Sequence, residues 1–239
     1  MEVQLFIPCF MDQLFPDTAF NVVKVLERAG CTVRYNESQT CCGQPAYNAG
    51  FREESMSVCK KFLTDFNGTA PIVTPSASCA GFIRNYYNTL FDKTSEAAAL
   101  ADVTSRVFEL TDFLVNRLGI TELGARFEGT AAYHDSCAGL REYNLADEPR
   151  MLLRKVEGLR IVEMADNTTC CGFGGTFAVK YEPISVAMGD QKSRNAAATG
   201  ADCLISTDLS CLMHISGVME RNGSQIRCLH IADVLAAGY

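Results

Sequence analysis

Eight of the twelve cysteines in this 239-residue chain fall into two sets with nearly the same spacing. Cys9, Cys41, Cys42 and Cys79 are separated by 31, 0 and 36 residues, and Cys137, Cys170, Cys171 and Cys211 by 32, 0 and 39. Four thiolates are the ligand count of a tetrahedral zinc ion or an iron-sulfur cluster, and soft sulfur selects such centres over harder cations. Adjacent cysteines point to opposite faces of a regular strand, so using both members of Cys41-Cys42 or Cys170-Cys171 requires an irregular turn. Gly43, Gly172 and the pair Gly174-Gly175 supply the backbone freedom for one. Successive N–H groups where such a loop enters a helix form a nest for an anionic centre.

Three chemistries stay open on these residues. Iron-sulfur ligation leads, because the paired cysteines depart from the C-x2-C arms usual for structural zinc. Zinc in a scaffold is the alternative, and thiol-disulfide exchange at Cys41-Cys42 or Cys170-Cys171 without metal is the third. Cys31, Cys59, Cys203 and Cys228 lie outside the pattern and read as small core hydrophobes. His134 precedes Cys137 by three and His214 follows Cys211 by three; both read as structural first and as ligands or ligand supports second. His230 reads as packing in the last apolar strand. Gly172-x-Gly174-Gly175 lacks the glycine spacing of a dinucleotide loop, and chain order singles out no Ser-His-Asp or paired-carboxylate site. No catalytic residue is assigned.

The elements that must position these thiols repeat as well. Each copy reads apolar strand, Cys, loop, helix, Gly, strand, CCG, helix, strand, Ser-Cys, helix, strand. Asp17 is expected to cap a helix over 18–29 with Phe20, Val23 and Leu26 on one face, followed by a strand over 31–35. In the second copy a helix after Asp147 is expected to close at Gly158, with a strand over 159–164. Helices are expected over 52–66 and 183–198, strands over 72–74 and 203–206, and an additional Ala-rich helix over 95–105. Alternating strands and helices predict an α/β fold: two tandem Rossmann-like units with mostly parallel sheets, born of an internal duplication. The units are expected over residues 1–118 and 130–239, with 119–129 as linker. The cysteines then fall at the carboxyl edge of the sheets, where open parallel sheets place ligands.

Composition narrows the function classes. A net charge of −7 and the lack of a Lys/Arg cluster argue against nucleic acid as a partner. No apolar run reaches the roughly 20 residues of a spanning helix. The start Met1-Glu2-Val3 lacks a basic export signal, so a cytoplasmic protein is expected, docked at most peripherally on a membrane complex. In a reducing compartment, twelve cysteines point to metal or redox chemistry rather than disulfides.

The paired motifs, Cys-Cys-Gly-Gln-Pro-Ala at 41–46 and Cys-Cys-Gly-Phe-Gly-Gly-Thr-Phe at 170–177, resemble those of the cysteine-rich CCG domain family. That family includes the cysteine-rich subunit of heterodisulfide reductase, the iron-sulfur subunit of glycolate oxidase and the lactate-utilization proteins, and the chain looks most like the last branch. The resemblance implies an electron-transfer subunit of an NAD-independent L-lactate oxidation system, active only with partners. Those would be a ferredoxin-like iron-sulfur subunit and a third small subunit. It also implies that the eight repeated cysteines hold one or two clusters. In the heterodisulfide reductase branch each motif ends Cys-x-x-Cys and holds a non-cubane 4Fe-4S cluster. Here Ser76 and Asp208 replace the extra cysteine, which leaves four thiolates per set, suited to an ordinary 4Fe-4S cluster.

Overall fold

The computed structural model describes residues 1–91 and 97–238. The first half comprises β1 (Glu2–Leu5), α1 (Cys9–Leu14), α2 (Pro16–Arg28), β2 (Thr32–Tyr35), α3 (Gln44–Asn48), α4 (Arg52–Asp65), β3 (Ile72–Thr74), α5 (Ala77–Leu90), α6 (Ala97–Ser105), β4 (Val107–Glu109) and α7 (Leu110–Asp112), which runs into a π-helical turn at Phe113–Arg117. The second half comprises β5 (Arg126–Tyr133), a π-helical turn at Gly139–Tyr143, α8 (Glu148–Leu153), β6 (Glu157–Val162), α9 (Thr176–Lys180), α10 (Glu182–Ala197), β7 (Cys203–Ser206), α11 (Leu209–Arg221), β8 (Arg227–His230) and α12 (Ile231–Leu235).

The strands form two four-stranded sheets, ordered β2-β1-β3-β4 and β6-β5-β7-β8, and every pairing is parallel. Parallel neighbours require long crossovers, which the helices fill. β3 and β7 are inner strands buried along their whole length, in keeping with continuous apolar runs covered on both faces. In each sheet the chain leaves its first strand toward one edge and returns to continue toward the other. The order therefore reverses between β1 and β3, and between β5 and β7, where a crevice opens beyond the strand ends.

The α/β reading and the strands over 72–74 and 203–206 match the structure, and several boundaries move. The helix placed after Asp17 begins at Pro16 behind Phe15, with no side-chain cap. Its inward residues are Thr18, Val22, Val25 and Leu26, whereas Phe20 faces outward, 67% exposed. Gly158 does not close α8; it lies inside β6 with φ +81°. That φ lies in the left-handed region that favours glycine, and it falls where the pairing of β6 with β5 shifts register. β5 begins at Arg126, inside the expected linker. Of the Ala-rich stretch, 97–105 is α6, and residues 95 and 96 lie outside the described residues.

The halves share a core. One apolar cluster draws Val3, Leu5 and Val73 from the first sheet and Ala131, Leu204 and Ile205 from the second. The last helix of each half also docks on the other half. Asp233 of α12 accepts hydrogen bonds from Thr18 Oγ1 (3.2 Å) and Asn21 Nδ2 (3.0 Å) of α2, and Asp112 of α7 accepts one from Tyr143 Oη (2.6 Å).

Candidate metal or cluster centre

All eight repeated cysteines sit at the two order-reversal points. Cys9 opens α1 just past β1, and Cys79 lies in the first turn of α5 after β3. Cys137 follows β5, and Cys211 lies in the first turn of α11 after β7. The CCG pairs occupy the loops after β2 and β6. Each loop turns sharply at its glycine, with φ +92° at Gly43 and +94° at Gly172, and each is held by a helix serine. Ser55 Oγ donates to Gly43 O (3.1 Å), and Ser185 Oγ to Gly172 O (2.8 Å). A Cβ on Gly172 would lie 2.6 Å from Ser185 O and 2.8 Å from Met188 Cβ, so the helix approach admits no side chain at this point.

Within each set the sulfurs converge. Cys9 Sγ lies 3.6 Å from Cys41 Sγ, Cys42 Sγ 3.5 Å from Cys79 Sγ, and Cys137 Sγ 3.8 Å from Cys170 Sγ. Cys171 and Cys211 place their sulfurs, together with a ring nitrogen of His134, within 4.8 Å of one another. These are free thiols, far outside the roughly 2.05 Å of a disulfide. Backbone N–H groups of Gly43 and Gly172 point at Cys41 Sγ and Cys170 Sγ, both at 3.4 Å, and Phe173 N–H points at Cys171 Sγ at 3.5 Å. This is the expected nest.

The thiols cannot all ionise unaided. Cys41 is held far below the usual thiol range because Cys42, Cys9 and the Gly43 N–H donate to its sulfur; Cys170 is held likewise by Cys137, Cys171 and the Gly172 N–H. The same contacts, with burial, push Cys9, Cys42, Cys137 and Cys171 upward. One thiolate in each set thus suppresses the ionisation of its neighbours. Full deprotonation requires a positive charge among the sulfurs, so the donor sets fit a thiolate-bound metal centre.

Both sets open on one cleft of about 570 Å³. Its charged lining residues are Glu142 and Asp208, both acidic. Asp208 crosses between the halves: its Oδ1 accepts from Ser76 Oγ (2.7 Å), Ser78 Oγ (2.8 Å) and Ser78 N (3.2 Å). The two positions three residues before the last cysteine of each set therefore bind each other and tie the centres together.

The profile of the family described as CCG, cysteine-rich domain, matches residues 3–84 and 131–216. The chain belongs to the cysteine-rich CCG domain family. It is 44% identical over 242 residues to "Lactate utilization protein A 2" of Bacillus cereus, covering 100% of this chain and 99% of that one. It is 42% identical over 235 residues to "Lactate utilization protein A" of Halalkalibacterium halodurans, covering 98% and 96%. A solved structure of a hypothetical protein from Helicobacter pylori superposes on the whole chain with a TM-score of 0.69 at 12% identity; the chain spans 49% of that protein's length. That likeness shows the fold alone.

The other cysteines of this CCG-domain chain are not drawn into the cleft. Cys31, Cys59 and Cys203 are buried and Cys228 is partly buried, and burial raises the pKa of each. His214 packs over the second CCG turn, its Nε2 3.2 Å from Ser185 O and 3.4 Å from Ser185 Oγ. His230 does more than pack. Its Nδ1 accepts from Ala232 N (3.1 Å), capping α12, and its Nε2 lies 3.1 Å from Pro75 O of the other half and 3.2 Å from Thr207 O. His134, ranked in the sequence as structural first and a ligand second, converges with Cys171 and Cys211, while Lys192 behind the second set and the Ser76–Asp208 link escaped the sequence reading. Setting the two copies side by side, residue by residue, is the signal that could have found them.

Proposed function

We propose that this chain is an electron-transfer subunit of an NAD-independent system that oxidises L-lactate or a related 2-hydroxy acid, with residues 1–118 and 130–239 as its two cysteine-rich repeats. The observation that carries this reading is the pair of four-cysteine sets facing one cleft, in a chain similar over its full length to proteins named for lactate utilization. Cys9, Cys41, Cys42 and Cys79 hold one iron-sulfur cluster, and Cys137, Cys170, Cys171 and Cys211 the other. Such clusters accept and release single electrons. The protein's own contribution is to fix the sulfurs and aim backbone N–H groups at them, with Cys42, Cys79, Cys171 and Cys211 buried and the other four reaching the cleft. The lining also speaks against substrate binding here: Asp208 and Glu142 would repel a carboxylate, and no Lys, Arg or His lines the cleft among the described residues. Lactate is therefore oxidised on a partner. A ferredoxin-like iron-sulfur subunit and a third small subunit complete the system, in the cytoplasm. Among the described residues no helix is long and apolar enough to cross a membrane.

Anaerobic purification with counting of iron and acid-labile sulfide tests the reading. Iron and sulfide in near-equal amounts, with broad visible absorption, are expected; protein that binds only zinc after reconstitution would overturn it. One observation favours that second reading, a zinc scaffold. Sulfur separations of 3.5, 3.6 and 3.8 Å approach the edge of a tetrahedron around a single ion. With Zn–S near 2.3 Å that edge is about 3.8 Å. On a cluster of several irons the ligand sulfurs would sit farther apart than this.

A further inference from the structure

The second cysteine set has a donor that the first lacks. His134 is fully buried just past β5, and neither Nδ1 nor Nε2 has a hydrogen-bond partner of normal geometry, the Asn167 backbone making only a loose approach. An unsatisfied buried polar atom costs about 1–3 kcal/mol, so two on one ring call for an explanation, and a bound ion is one of the recognised ones. A ring nitrogen of His134 and the sulfurs of Cys171 and Cys211 all lie within 4.8 Å of one another, the grouping a metal takes. Packing does not explain the residue. The equivalent position, three before Cys9, is Phe6, whose ring fills the first half by edge-to-face contact with Phe62 and Phe66.

We propose that His134 is a metal ligand of the second centre, giving it five donors (Cys137, Cys170, Cys171, Cys211 and His134) against four thiolates in the first. The inference rests on the proposed function only in requiring metal at the second set. The two centres are then chemically distinct, one all-sulfur and one with mixed sulfur and nitrogen ligation. Asp208, three residues before Cys211, makes the link to Ser76 and Ser78 through Oδ1.

The test uses the full chain, loaded anaerobically with iron and sulfide, reduced, and prepared with either natural or ¹⁵N-labelled histidine. Pulsed electron paramagnetic resonance is expected to show a directly coupled nitrogen at one of the two centres. Its pattern should change with the label and vanish in His134→Gln, with iron counted in that variant to show that the four remaining thiolates still hold the second centre. Because the labelling arm uses the unaltered protein, a variant that fails to fold does not block the test. Iron at both sets without histidine coupling overturns the inference, as does coupling that survives His134→Gln and disappears in His214→Gln. If iron does not bind and zinc does, the proposed function fails while this inference is still read directly. X-ray absorption of the zinc protein should then show a Zn–N distance of roughly 2.0–2.1 Å that His134→Gln removes, and all-sulfur zinc would overturn it. Protein that binds neither metal overturns both.

Discussion

Behind the first cysteine set stands an aromatic wall; behind the second, the same backbone positions carry a histidine, a lysine and an alanine. Phe6 and His134 each precede the first cysteine of their set by three residues. Phe62 and Lys192 each follow by seven the serine that holds the CCG turn, and Phe66 and Ala196 follow it by eleven. In the first half Phe6 meets Phe62 at 5.1 Å and Phe66 at 5.5 Å, edge to face. In the second, His134 faces the sulfurs and Lys192 donates to Asp166 O and Asn167 O, pinning the loop before Cys170. The thiol geometry is nearly copied, at 3.6 Å for Cys9–Cys41 and 3.8 Å for Cys137–Cys170, while the surroundings are rewritten. Duplication preserved the donor set and let the two environments diverge, which is how one chain can hold two centres of unlike potential.

The strongest way to break the comparison is to remove one set. Cys42→Ser and Cys171→Ser should each lose about half of the bound iron, because each sulfur serves a single centre. Cys59→Ser should keep both centres at a packing cost of about 1 kcal/mol. Iron and sulfide analysis of the three variants checks this; equal iron in all of them would refute the ligand assignment.

The next effect concerns a matched pair that titrates in opposite directions. Glu109 and His230 end β4 and β8 and cap the helices that follow with the same backbone angles, φ −71° and ψ 147°. Glu109 Oε2 accepts from Thr111 N, Thr111 Oγ1 and Asp112 N, yet burial raises its carboxyl from 4.5 to about 8, and its Oε1 has no partner. Between those two values the unfolded chain releases this proton and the folded chain keeps it, so Glu109 lowers stability as pH rises and the loss levels off above about 8. His230 is pushed below 6.5 by burial, so its contribution is lost as pH falls below 6.5. Glu109→Gln should flatten the decline above pH 4.5, a change on the order of 3–5 kcal/mol at about pH 8, measured by urea unfolding across that range.

The two CCG loops are also tied down with different strength. In the first half Gln39 bridges the loop to the β1 end, accepting from Ile7 N (2.8 Å) and donating to Leu5 O (3.3 Å). In the second, Arg150 grips Asp135 at 2.8 and 2.7 Å and Glu163 at 2.7 Å, and its guanidinium lies 4.7 Å from the centre of the Tyr133 ring. Asp135 is buried, so Arg150→Met strands a charge and should cost about 3 kcal/mol, whereas Gln39→Ala should cost about 1. Thermal unfolding of the two variants compares them directly, and equal losses would mean that the Arg150 network adds nothing beyond ordinary hydrogen bonds.

Sequence carried the architecture because alternation of strand and helix leaves few topologies, and because short, mostly apolar runs such as 72–74 and 203–206 between helices suit inner strands. It failed where tertiary contact overrides local pattern. Gly158 looks like a helix stop, yet pairing with β5 carries it into β6 at a shift of register. The cysteines were legible as a repeat. His134 was legible as a candidate ligand but ranked behind a structural role, since a histidine at a strand end has many uses and only the folded chain brings its ring beside two thiols. Lys192 was less legible still: along α10 it reads as one more solvated charge, yet its side chain is buried.

That buried lysine supplies the smallest and most discriminating test. A cation fixed behind an anionic centre favours the electron-rich state, and Phe62 gives the first centre no such help, so the second centre should have the higher potential and receive electrons from the first. Burial lowers the pKa of Lys192, the expected response of an ammonium drawn out of water, while Cys171, Asp166, Asp135 and Cys170 favour its charged form. Replacing it with methionine keeps most of the volume and removes the charge. Lys192→Met should lower the potential of the second centre by up to about 59 mV, a tenfold shift in a one-electron equilibrium, and leave the first unmoved. Redox titration followed by electron paramagnetic resonance resolves the two. A shift shared by both centres would mean that the cation acts through the common cleft, and no shift at either would mean that Lys192 only braces the loop through Asp166 and Asn167. Either result would move the origin of the asymmetry from Lys192 to His134.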